Sequence, residues 1–184
     1  MEVYGLLVCA ANGMPLLTLV TDDGRDGRPM PRPDRQLGLD WGEDGNKLIG
    51  GFISAMNLFC EEIIKAPNET MRVSVDWLYL TTVSHDIEQS EDRVPAGSYW
   101  LDRLTFVLVH GQAPPKAAEY LLHVLVEKFF ALYDRAWIAK SLAEGRIPFP
   151  NPEDAAAFRR VFHDTLSRFK ITRDVTQLEM EFDL

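Results

Sequence analysis

The chain has 184 residues, of which 46% are hydrophobic and 26% charged, the composition of an ordinary soluble globular protein. Nineteen Lys and Arg against 28 Asp and Glu leave a net charge of −9 at pH 7. That sign argues against a nucleic-acid backbone or an anionic membrane surface as the main partner, since both demand a basic footprint.

No apolar stretch approaches the roughly 20 residues of a membrane-spanning helix, and Glu2 stands where a secretory signal carries positive charge. A cytoplasmic protein is therefore expected, with no direct membrane insertion and any recruitment to membranes left to a partner. Cys9 and Cys60 each sit inside an apolar run and read as reduced core residues, not as a disulfide or a metal site.

Two apolar runs, Val3 to Ala10 and Met14 to Val20, flank Asn12-Gly13. Both turn residues tolerate a positive φ, so a β-hairpin is predicted over 2–21, with Pro15 placing the second strand at a sheet edge. Residues 22–45 hold three prolines at alternate positions and several glycines, which predicts a long loop that Trp41 pins back to the body.

Asn46 to Lys65 predicts a helix whose apolar arc, Leu48 through Ile64, covers about half of the cylinder. That is wider than one sheet face requires. Gly50, Gly51, Ser54 and Ala55 are small at three- and four-residue spacing, and Leu58 is apolar where solvent is expected. Two readings stay open: a wide core helix with incidental glycines, or a seam across which a second helix packs.

Met71 to Ser84 alternates as one long strand or as two joined near Asp76-Trp77, and 86–102 is a polar loop. Leu104 to Val109 is an apolar run typical of a strand buried on both faces. Pro114-Pro115 opens a second helix, predicted over Ala117–Ile138 and apolar around nearly all of its surface. Its cover is expected from a helix at about 153–169 bearing Phe158, Val161, Phe162, Leu166 and Phe169. The tail Leu178-Glu179-Met180-Glu181-Phe182-Asp183-Leu184 alternates strictly. It reads as a half-buried strand docked within the protomer, as a segment that docks on a partner through Leu178, Met180 and Phe182, or as disorder.

Catalytic patterns are sparse. His85, His110, His123 and His163 share no metal-ligand spacing and read as surface histidines. No serine sits in a nucleophile elbow, and neither cysteine has an activating neighbour. Gly42 to Lys47 lacks the spacing of a phosphate loop, and Asp22 to Asp26 departs from a calcium loop at its ligand positions. Carboxylates are plentiful, but nothing selects a catalytic pair. No catalytic, cofactor-binding or metal-binding residues are therefore assigned, and no cofactor is expected.

The element order β-β-α-β-β-β-α predicts an α+β fold, an antiparallel five-stranded sheet with helices on its faces. The opening Tyr4-Gly5-Leu6-Leu7-Val8-Cys9-Ala10-Ala11-Asn12-Gly13-Met14-Pro15-Leu16 resembles the start of the roadblock/longin superfamily. Leu48-Ile49-Gly50-Gly51-Phe52-Ile53-Ser54-Ala55-Met56-Asn57-Leu58-Phe59 is similar to its first helix, and Leu104 to Val109 with the following helix to its last strand and helix. The resemblance covers about residues 2–138. A longin/roadblock-like domain over 1–144 and a C-terminal helical extension over 145–184 are expected.

The resemblance implies a non-catalytic module that forms a homodimer or a heterodimer with a related subunit and binds or regulates a small Ras-like GTPase. Gly50, Gly51, Ser54 and Leu58 would then form the dimer seam. The same layout occurs in PAS and GAF domains, which enclose a ligand between sheet and helices, so small-molecule sensing is the alternative. An enzyme of unrecognised type is the third possibility.

Overall fold

In the computed structural model of the chain, residues 1–21, 43–59, 70–75, 78–87, 103–151 and 153–182 are described, with backbone alone for 43–46, 57–59, 75, 115 and 170–182. Five strands, β1 (Val3–Ala10), β2 (Pro15–Val20), β3 (Thr70–Val75), β4 (Leu78–Asp86) and β5 (Arg103–His110), form one sheet in the order β2-β1-β5-β4-β3. Every neighbouring pair is antiparallel. The described residues also hold four helices, α1 (Glu43–Phe59), α2 (Pro115–Leu132), α3 (Arg135–Ala143) and α4 (Ala156–Phe182).

The hairpin forms where its turn chemistry places it. Gly13 adopts φ +81°, Asn12 Oδ1 accepts the Met14 N–H, and the Ala10 N–H closes the turn on Met14 O. Pro15 opens β2 at the sheet edge, where its missing N–H costs no ladder bond. β5 lies at the centre, and its residues from Leu104 to His110 are all buried. The extended stretch after residue 70 is two strands, because Val75 pairs with Leu78.

Alternation along the strands sorts the core into two layers. Leu6, Val8, Phe106 and Leu108 face α2 and α4, meeting Leu121, Leu125, Phe129, Phe158 and Phe162. Leu7, Cys9, Leu80, Val107 and Val109 face the other way, onto Ile49 and Ile53 of α1. This is an α+β fold, with α1 on one sheet face and α2 on the other. Phe158, Phe162 and Leu166 of α4 belong to the same core layer as α2.

Three expectations are corrected by the fold. The helix predicted over 117–138 is two helices, because Tyr133 is extended (φ −124°, ψ 121°) and Asp134 caps α3 by accepting the Ala136 N–H at 3.0 Å. The first long helix spans 43–59 rather than beginning at 46, and 60–65 lie outside the described residues.

The third correction concerns the tail, where the backbone of 178–182 is helix rather than strand. Leu, Glu and Met are strong helix formers, and the chain reaches them already helical, so extension needs no new nucleus. On a helix, positions 178 and 182 share one side while position 180 falls nearly opposite. The loop 22–42, most of 86–102, Trp41 and Cys60 lie outside the described residues.

Candidate interaction face

α1 is amphipathic in an unusual way, because both of its long sides carry apolar residues. The inward side holds Ile49 and Ile53, both buried, with Met56 partly so. The outward side holds Leu48, Gly51, Phe52 and Ala55. Their spacing of three, one and three residues places them on one stripe. Leu48 is 74% exposed and Phe52 45% exposed, values an apolar helix position reaches only when nothing in the described chain covers it.

The four seam residues do not share one surface. A Cβ on Gly50 would lie 2.0 Å from Gly13 O and 3.3 Å from Cys9 Sγ, so Gly50 lets the helix backbone settle on the hairpin turn. Gly13 has the reciprocal constraint, since a Cβ there would meet Gly50 O at 2.6 Å. Ser54 donates its hydroxyl to Ala11 O at 2.7 Å, which fastens the next helix turn to the same hairpin. Gly51 has open space around its missing side chain. The small residues therefore divide into an inward pair, Gly50 and Ser54, and an outward Gly51 beside Leu48 and Phe52. Leu58, Leu178, Met180 and Phe182 have side chains outside the described set.

The reading of His110 as a surface residue is overturned, because its side chain is wholly buried at the end of β5. Its Nδ1 lies 2.6 Å from Gly111 O and therefore carries the proton, which leaves Nε2 to accept from Thr81 Oγ1 at 2.8 Å. Tyr79 stacks on the imidazole at 5.8 Å, and Arg72 lies 4.6 Å over the Tyr79 ring. Burial pushes the His110 pKa down, the hydrogen bond to Gly111 opposes this, and the Arg72 charge adds to the lowering. Both ring nitrogens are engaged, so the neutral imidazole ties β5 to β4.

Cys9 is buried, and desolvation pushes its thiol up to about 12, far from the thiolate a nucleophile needs. Among the described residues no group of three or more His, Cys, Asp or Glu side chains is arranged to hold a metal ion. No helix among them is long and apolar enough to cross a membrane.

A groove of about 620 Å³ opens between α2 and α4. Among the described residues its walls are helical, together with Met1 and Pro114, with none from the sheet. It therefore differs in position from the sheet–helix pocket of a PAS or GAF layout.

No family model and no curated protein matches the chain. Among solved structures, it is similar to a roadblock/LC7 domain from Streptomyces avermitilis at 9% identity, covering 72% of this chain and 86% of that one with a TM-score of 0.42. It is also similar to MglB from Myxococcus xanthus at 11% identity, covering 71% of this chain and 85% of that one with a TM-score of 0.39.

Proposed function

We propose that this chain is a protein-interaction module that pairs through the outward stripe of α1, with itself or a related subunit, and binds or regulates a small Ras-like GTPase. The observation that carries the reading is the exposed stripe of Leu48, Gly51, Phe52 and Ala55 on a helix whose other side is already buried. A residue such as Leu48, held in water by a rigid helix, gains roughly 1.5–3 kcal/mol when covered. Gly51 adds a point where a second helix backbone comes close. The resemblance to the roadblock/longin superfamily supports the same reading, since its members dimerise and serve as platforms for small Ras-like GTPases. In this reading the module has no catalytic chemistry of its own and works in the cytoplasm, reaching membranes through its partner.

Light scattering on the purified chain tests the pairing: a dimer is expected, and Gly51→Leu and Phe52→Glu should each return a folded monomer. A dimer indifferent to both changes removes α1 as the interface. For the partner, the chain serves as bait in lysate of its source cells with GDP or a non-hydrolysable GTP analogue. Retention of a Ras-like GTPase, favoured by one nucleotide, is the expected result. Recovery of none in either state counts against the GTPase reading.

A further inference from the structure

The groove between α2 and α4 is lined by apolar residues at helical spacing. Ala117, Leu121 and Val124 line it from α2, and Val161, Thr165 and Phe169 from α4. The spacing on both helices is three or four residues, which leaves ridges that accept a third helix between them. Tyr120, 64% exposed, stands at the rim. Among the described residues, Lys128 and Arg168 also line the groove, against one carboxylate, Asp164. In a chain of net charge −9, this is a locally cationic apolar surface.

The last turns of α4 carry the complementary sequence. Ile171, Val175, Leu178 and Phe182 recur at intervals of four, three and four residues, the repeat of a helix seam. Asp174, Glu179 and Glu181 occupy the positions that flank such a seam. The same protomer cannot bring the two together. α4 runs unbroken from Ala156 to Phe182, so position 178 lies nine residues, or about 14 Å, past Phe169 along the same axis.

We infer that the α2–α4 groove receives the C-terminal helical segment 171–182 of a second copy of this chain, apolar seam inward and acidic flanks toward Lys128 and Arg168. The contact is separate from pairing through α1, does not depend on it, and is transient, so that cross-linking traps it at concentrations where light scattering reads only the α1 dimer or its monomer. Because the tail of one copy fills the groove of another, the contact can close reciprocally into a dimer or continue from copy to copy.

Cysteine cross-linking of the full-length chain tests this. Tyr120→Cys and Leu184→Cys are introduced together in a Cys60→Ser background. Cys9 does not compete, being buried with its thiol pushed up to about 12. After oxidation and denaturation, covalent dimers or longer chains are expected by mass. Adding Leu178→Glu with Phe182→Glu should reduce them to the level seen when Ala143→Cys replaces Tyr120→Cys. Lys128→Glu, at an exposed position, should lower the yield, and Glu179→Lys with Glu181→Lys in the same chain should restore it. The cross-link should persist in Phe52→Glu, which separates this contact from α1 pairing. Internally closed monomers, or yields no higher than the Ala143→Cys control, overturn the inference.

Discussion

Among the described residues, the two faces of the sheet are covered to very different depths. On the α2 side, Phe106, Phe129, Phe158 and Phe162 are wholly buried, and Phe129 sits among five aromatic rings, with edge contacts to Phe106 and Phe158 each at 5.1 Å. On the α1 side, the described helix contributes Ile49, Ile53 and part of Met56, and is held to the hairpin by close backbone approach and one serine hydroxyl. The thick layer is expected to carry the larger share of the fold's stability. The thin layer keeps apolar surface available on its outer side, which suits a face that exchanges solvent for a partner.

Phe129→Ala should expose this asymmetry most strongly. It removes the hub of the aromatic layer, and large-to-small changes at such sites cost about 3–5 kcal/mol, read as a drop in the denaturation midpoint. If Ile53→Ala, at an equally buried position on the α1 side, proves as costly or more so, the contrast between the faces is wrong.

Gly50→Ala comes next. The added methyl would point at Gly13 O, a backbone atom that cannot swing aside, so the cost expected is about 1–3 kcal/mol together with loosened packing of α1. Hydrogen exchange should show that loosening in α1 and the hairpin turn while α2 stays protected. Gly51→Ala, with open space around it, is the control and should be neutral or slightly stabilising through helix propensity.

His110 gives a pH-dependent comparison between its own end of the sheet and the rest of the molecule. Its folded-state pKa is lowered, so just below the ordinary value of 6.5 the unfolded chain binds a proton that the folded chain refuses. The stability it contributes is complete above 6.5 and fades as the pH falls toward the folded value. His110→Asn, which keeps a donor for Gly111 O and does not titrate, should remove that part of the pH dependence. Thermal midpoints measured between pH 7.5 and about 5 for both proteins check it. A wild-type profile parallel to that of the variant would contradict the neutral buried imidazole.

The smallest effect on stability is expected from Phe52→Glu. An exposed substitution away from the core stays within about 0.5 kcal/mol, so the midpoint should hold while the mass by light scattering falls to that of a monomer. A large loss of stability together with loss of the dimer would instead mean that the partner completes the thin layer of the core.

Much of the fold was legible in the chain. Asn12-Gly13 between apolar runs placed the hairpin, Pro15 placed its second strand at an edge, and the run Leu104–Val109 marked the central strand. The break after α2 was harder to see. Apolar periodicity passes straight through Tyr133, and the signal present was the capping Asp134 just before Arg135-Ala136. At the tail, strict alternation suggested a strand, yet alternation measures only polarity, and a helix already under way extended through residues with high helical propensity.

The candidate face shows the same division between local and long-range information. The sequence alone determined that the first long helix carries more apolar surface than one sheet face can cover, because a helical wheel needs only spacing. It also determined that small residues recur on that helix. Which of them face inward depended on contacts far apart in sequence. Gly50 meets Gly13 and Ser54 meets Ala11, pairs separated by 37 and 43 residues that only the docking of α1 on the hairpin brings together. The burial of His110 was decided in the same way, since its partner Thr81 reaches it only through the β4–β5 register. Local spacing fixes which residues share a side of an element, and tertiary packing decides what that side meets.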